Sequence, residues 1–120
     1  MKKIMIVDDN ELNMKLFNDL LQAQGYGTVQ SSDGKDILKL AHRNRPDLII
    51  MDVQLPGVSG VELTRMLKAD ADLKHIPILA VTAFAMKGDQ EKIMESGCDG
   101  YLSKPISIPV FLETIAKFLC

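Results

Sequence analysis

The chain has 120 residues, of which 47% are hydrophobic and 25% charged, and carries a formal net charge of -2. That length fits one domain and is too short for two of ordinary size. The slight negative balance, with no run of Lys and Arg, argues against a nucleic-acid surface, and the apolar stretches are strand-sized, too short to span a membrane.

From the N-terminus, Met1-Lys2-Lys3 leads straight into Ile4-Met5-Ile6-Val7, which Asp8-Asp9 ends, so the start does not read as a signal-peptide core. Apolar runs then alternate with helix-period segments along the whole length. Strands are expected near residues 3–8, 27–31, 48–52, 77–81 and 99–103, and helices near 11–24, 34–44, 59–69, 87–96 and 107–118. Gly25 suits the position after the first helix, and Pro46 forbids continuation of the second. Ser107 is a good N-cap for the last helix, with Pro109 tolerated in its first turn. Thr28-Val29-Gln30-Ser31 is polar enough to be an edge strand. Such alternation indicates an α/β fold: a parallel sheet with helices on both faces. Cys98 and Cys120 offer neither a disulfide framework nor metal-ligand spacing, so a reduced cytoplasmic setting is expected. Cys98 reads as a small buried residue, most Met as core filler, and His42 and His75 as lacking a ligand-like partner.

The polar residues that end the apolar runs carry the chemistry. Asp8-Asp9 ends the first run, Asp52 ends Leu48-Ile49-Ile50-Met51, Thr82 ends Ile78-Leu79-Ala80-Val81, and Lys104-Pro105 follows Tyr101-Leu102. In an open parallel sheet ligands bind beyond the carboxyl ends of the strands, so these distant residues can converge there. Three carboxylates brought together repel one another unless a cation joins them, and Mg²⁺ is a hard ion suited to such oxygen ligands. The plainer alternative is that Asp8-Asp9 caps the helix starting near Glu11. Asp52 is the candidate nucleophile, able to accept a phosphoryl group as an acyl phosphate. Lys104 supplies a compact positive charge for the transferred group, and a cis Lys104-Pro105 bond would aim it. Thr82 can donate to a phosphoryl oxygen, with small Ala83 leaving room beside it. Gly57 and Gly60, near Pro56, read as a turn that lets backbone approach the site.

These residues resemble the receiver domains of two-component response regulators, which share the chemotaxis-regulator fold. The resemblance rests on Asp8-Asp9, on Met51-Asp52-Val53-Gln54-Leu55-Pro56-Gly57, on Val81-Thr82-Ala83, and on Tyr101-Leu102-Ser103-Lys104-Pro105. It covers essentially the whole chain, residues 1–120, as one receiver domain. It implies a doubly wound, flavodoxin-like five-stranded sheet of order 2-1-3-4-5. It further implies that Asp52 takes phosphate from a sensor-kinase phosphohistidine. Asp9, Asp52 and the Gln54 carbonyl would bind Mg²⁺ directly, and Asp8 mainly through a water. Thr82 and Tyr101 would carry the switch and Lys104 would pair with the phosphoryl group. Output would pass to a protein partner through the fourth helix, fifth strand and fifth helix. The protein would catalyse only its own phosphorylation and dephosphorylation. Gln54 and Phe84 would flank the path of attacking water.

A narrower resemblance, on residues 9–17, on Ala83-Phe84-Ala85-Met86-Lys87-Gly88-Asp89 and on Lys104-Pro105-Ile106-Ser107, is to single-domain regulators of polar differentiation and cell division. Receivers fused to hybrid sensor kinases share much of this pattern. A haloacid-dehalogenase-type phosphatase uses similar residues, but its DxDx[TV] motif is absent from Asp8-Asp9-Asn10-Glu11. A nucleotide-binding module would need a Gly-rich loop after the first strand, and a scaffold would not need the constellation. On the first helix, Leu12, Leu16 and their apolar neighbours fill an arc of roughly 200°, wider than the ~100° stripe needed to pack on a sheet. By the resemblance, the surplus edge is Leu12 and Leu16 beside Asp9, expected to dock on the helical domain of a sensor kinase; the plainer alternative is a broad face buried more deeply.

Overall fold

The computed structural model describes residues 2–32, 34–53, 60–82, 87–104 and 106–119, with backbone only at 87–90. Strands and helices alternate without exception among them. They run β1 (Lys3–Val7), α1 (Glu11–Ala23), β2 (Gly27–Ser31), α2 (Ile37–Asn44), β3 (Leu48–Asp52), α3 (Gly60–Ala69), β4 (Ile78–Thr82), α4 (Lys87–Glu95), β5 (Gly100–Ser103) and α5 (Ile108–Leu119). The strands form one parallel sheet of order β2-β1-β3-β4-β5. The polar β2 is therefore an edge, and the order reverses between β1 and β3, where a crevice opens at the carboxyl ends.

Both faces of the central strands are buried, which explains why they read as continuous apolar runs and not as alternating ones. Side chains still alternate in direction. Met5, Val7, Ile49, Met51, Ile78 and Ala80 pack with Ile37 and Ala41 of α2, Leu63 and Leu67 of α3 and Ile93 of α4. Ile4, Ile6, Leu48, Ile50, Leu79 and Val81 pack with Met14, Phe17 and Leu21 of α1 and Phe111 and Ile115 of α5. The Phe17 and Phe111 rings stack with centroids 4.9 Å apart, fixing α1 beside α5.

Chain punctuation follows local chemistry. Gly25, at φ +88°, ends α1: its N–H donates to Gln22 O and that of Tyr26 to Leu21 O, the paired bonds of a Schellman motif. α2 begins at Ile37, three residues later than periodicity predicts. Gly34, at φ +74°, is not helical, and its N–H is taken by Ser31 Oγ. Arg45, at φ 47°, then ends α2 just before Pro46. Ser107 stands just before α5, and its carbonyl accepts the Phe111 N–H at 2.8 Å. Among the described residues, no helix is long and apolar enough to cross a membrane.

His42 does have a carboxylate partner, contrary to the sequence reading. Its Nε2 lies 2.7 Å from Asp70 Oδ2, tying the end of α2 to the turn after α3. The pairing spans 28 positions in sequence, so no local pattern announces it. The His42 hydrogen bond, with that from the Asp72 backbone N–H, holds the Asp70 carboxyl below its ordinary pKa. A carboxylate whose folded pKa is depressed stabilises the protein above its unfolded pKa, about 4, and loses that contribution as pH falls through the folded value. His42→Ala should therefore melt slightly below wild type at neutral pH, with the gap closing in acid below about pH 4. Melting curves across pH check this, and a gap undiminished in acid would contradict it.

Candidate functional site

The register explains how residues distant in sequence meet. β1 pairs Val7 with Met51 of β3, so Asp8 and Asp52 emerge next to one another at the carboxyl edge. By the same alternation both project toward the face covered by α1 and α5. β3 pairs Asp52 with Val81 of β4, and β4 pairs Thr82 with Ser103 of β5. Lys104 follows, its N–H bonded to Thr82 O at 2.8 Å. β5 lies two strands from β3, roughly 9–10 Å away, a gap a lysine stem can cross. Its Nζ reaches 3.7 Å from Asp52 Oδ2 and 3.9 Å from Asp8 Oδ2.

Burial sorts the three carboxylates. Asp8 is 2% exposed and Asp52 3%, whereas Asp9 is open to solvent. A carboxylate oxygen from each lies within 4.8 Å of the others. Asp8 Oδ1 accepts the Asn10 N–H at 2.8 Å, but the buried Asp8 Oδ2 accepts no hydrogen bond among the described residues. A buried carboxylate oxygen without a donor is costly unless a cation faces it. Lys104, at nearly 4 Å, supplies only part of that charge. The donor set is all oxygen and anionic, and one of its oxygens lacks a hydrogen-bond donor among the described residues. It therefore fits a small hard divalent cation.

Capping, the plainer role considered for Asp8-Asp9, belongs to the next residue. Asn10 is the N-cap of α1, its Oδ1 accepting the Asn13 N–H at 3.0 Å. Asp8 only braces the loop through Asn10, which leaves its second oxygen for the site. A cavity of about 420 Å³ opens beside Asp8 and Asp9, walled by Met14, Lys15 and Asn18 of α1 and by Gln30 and Ser32 at β2.

Thr82 is fully buried at the end of β4, and Tyr101 is half-buried on β5, packed against the cluster beneath α2, α3 and α4. β4 pairs Ala80 with Tyr101, so Thr82 and Tyr101 lie on the same face, diagonally across two strands. Leu12 is 80% exposed and Leu16 41% exposed on α1. Gln54, Pro56, Gly57, Ala83, Phe84 and Pro105 lie outside the described residues, so the Gln54 carbonyl and the Lys104-Pro105 isomer have no place in this geometry. Cys98 is buried; burial, and then the Asp99 charge, push its thiol pKa up.

Comparison with known proteins agrees with this arrangement. The family described as the response regulator receiver domain matches residues 4–116. The polar-differentiation response regulator DivK of Brucella anthropi is 60% identical over 98% of this chain and 96% of its own length. That of Brucella ovis is 59% identical over the same shares. Among solved structures, the receiver domain of a sensor histidine kinase from Pseudomonas aeruginosa PAO1 carries a magnesium ion in its active-site cleft. It superposes with a TM-score of 0.90 at 31% identity, covering 98% of this chain and 97% of that one. Vibrio cholerae chemotaxis protein CheY4 superposes at 0.92 with 29% identity, covering 98% of each chain. With its strand order, its strand-end carboxylates and these matches, the chain belongs to the response regulator receiver domain family.

Proposed function

We propose that residues 1–120 act as one receiver unit that accepts a phosphoryl group on Asp52 from the phosphohistidine of a sensor kinase or phosphotransfer protein. One observation carries this reading: the buried Asp52 and Asp8 carboxylates share Lys104, while a buried Asp8 oxygen still lacks a hydrogen-bond donor. Asp8, Asp9 and Asp52 would hold Mg²⁺, with the Gln54 carbonyl as a further ligand by family resemblance. When bound, Mg²⁺ supplies positive charge against the carboxylates and the phosphoryl oxygens. An Asp52 oxygen attacks phosphorus in line with the breaking P–N bond, whose electron pair leaves with the imidazole. Lys104 steadies the charge on the transferred group, and Thr82 donates its hydroxyl to a phosphoryl oxygen. The protein would act only on its own acyl phosphate, in the cytoplasm, where ATP-derived phosphoryl donors are made.

Thr82 and Tyr101 would couple that state to the surface of α4, β5 and α5. Met94 on α4 and Ile108 and Val110 on α5 are exposed there, as a protein-docking face needs. The high identity to DivK proteins supports a role in polarity or cell-division control, ahead of a receiver cut from a hybrid kinase.

The exposed Leu12 and Leu16 would seat α1 on the kinase's helical domain, bringing phosphohistidine to Asp52. Leu16→Ser should slow transfer from a cognate kinase by about 10-fold, the effect of losing one interface anchor, yet leave Mg²⁺-dependent labelling by acetyl phosphate unchanged. Radiolabel assays with both donors test this. Equal loss with both, alongside a lowered melting temperature, would place Leu16 in the core. In the same assay one stable label per chain supports a receiver; continuous phosphate release would indicate a phosphatase, and no label a scaffold.

A further inference from the structure

Gly60 opens α3 against the backbone of the proposed phosphoacceptor. A Cβ added there would fall inside van der Waals contact with the Asp52 carbonyl oxygen, 2.7 Å from Val53 Cα and 3.1 Å from the Asp52 carbonyl carbon. All three are main-chain atoms, so no side-chain rotation makes room. Gly60 does not have the positive φ that Gly25, Gly34 and Gly97 show. Alanine would satisfy its backbone angles and is the better helix former; what demands glycine is space.

Val53, the next residue, is gripped from both sides. The Gly60 N–H donates to Val53 O at 3.0 Å, and the Val53 N–H donates to Val81 O at 3.2 Å. Farther along the helix, the buried Thr64 hydroxyl donates to Gly60 O at 2.8 Å. The backbone of Val53, directly after Asp52, is thus held between the first turn of α3 and the end of β4. Close-packed interiors transmit such displacements and do not absorb them.

We infer that Gly60 is a positioning residue for Asp52: its missing side chain lets α3 close on the Asp52–Val53 peptide and hold the carboxylate toward Asp8 and Lys104. This rests on Asp52 being the phosphoacceptor. Any side chain at position 60 would move the strand end and, with it, the nucleophile.

Gly60→Ala in the full chain, labelled by acetyl phosphate across a Mg²⁺ titration below its melting temperature, tests this. Leu67→Val serves as control, since it trims a fully buried residue at the other end of α3. Gly60→Ala should take up phosphoryl groups about 10- to 100-fold more slowly, the scale of a misplaced reacting group, and need several-fold more Mg²⁺ for half-maximal uptake. Leu67→Val should lose stability and keep the wild-type rate. Equal rates for Gly60→Ala and wild type would overturn the positioning role, as would an equal loss in Leu67→Val. A wild type that takes no label would instead sink the phosphoacceptor reading itself. If Gly60→Ala does not fold, hydrogen exchange on the wild type decides. The Gly60 amide should exchange as slowly as amides within β3, and exchange at loop rates would overturn the clamp.

Discussion

Asp52→Asn is expected to take up no phosphoryl group from acetyl phosphate and yet to melt higher than wild type in EDTA. The first half follows from chemistry, because an amide is neither an effective nucleophile toward phosphorus nor a strong ligand for a hard cation. The second follows from the charges. Like charges within 4.8 Å repel by ~3.5 kcal/mol at an effective dielectric of about 20. Asp52 faces two such neighbours, one of them exposed and so screened. Its attraction to Lys104, 3.7 Å away, is worth ~4.5 kcal/mol on the same scale. Relief of both repulsions and of Asp52's own desolvation outweighs that loss, leaving a net gain of about 1–2 kcal/mol. Intact mass and melting temperature read the two halves separately. A persisting phosphate adduct would move the acceptor elsewhere, and a lower melting temperature in EDTA would mean the carboxylates are not a repulsive cluster.

Lys104→Met should have the opposite effect on stability. It keeps the apolar stem and removes the ammonium that the structure places against both buried carboxylates. Breaking a buried pair costs about 3–5 kcal/mol and an exposed one at most about 1 kcal/mol. Lys104 is 21% exposed and its contacts approach 4 Å, so a loss of about 1–3 kcal/mol in EDTA lies between these limits. For a domain of this size that is a fall of roughly 4–12 °C. Saturating Mg²⁺ should narrow the gap, because a bound cation replaces the missing charge. Phosphoryl uptake should slow by about 10²-fold, the scale of losing one group that stabilises transition-state charge. Melting curves with and without Mg²⁺ check the first claim; no loss of stability in EDTA would show that Lys104 does not balance Asp8 and Asp52.

Much of the fold is legible in the sequence because its central strands are buried on both faces. Ile4–Val7, Leu48–Met51 and Ile78–Val81 are uninterrupted apolar runs, and each placed its strand within a residue of the observed ends. Glycine and proline mark helix ends well at Gly25 and Pro46, whereas periodicity starts α2 at residue 34, three residues early, because Gly34 has a positive φ. A glycine's φ is set by the turn it completes, and the letter alone does not report it.

Convergence of the site was readable for the same reason: polar residues ending parallel strands must gather at one edge, as Asp8, Asp52 and Lys104 do. The strand order came only through family resemblance, since periodicity does not say which strands are neighbours. What stayed hidden depends on long-range contact. Asn10, and not Asp8-Asp9, caps α1, and that frees Asp8 Oδ2. His42 meets Asp70 across 28 positions. Gly60 read as a turn residue close to the site, but its contact with the Asp52 peptide needed three-dimensional packing to appear.

The central claim, that Asp52 is the phosphoacceptor, is tested most directly by reductive trapping. Borohydride converts an aspartyl phosphate to homoserine, and peptide mapping then locates it. After acetyl phosphate and Mg²⁺, homoserine should appear at position 52 and at no other carboxylate, and its yield should vanish in EDTA. Homoserine at Asp8 or Asp9, or trapping that persists without a divalent cation, would contradict phosphorylation of Asp52 in a metal-dependent site.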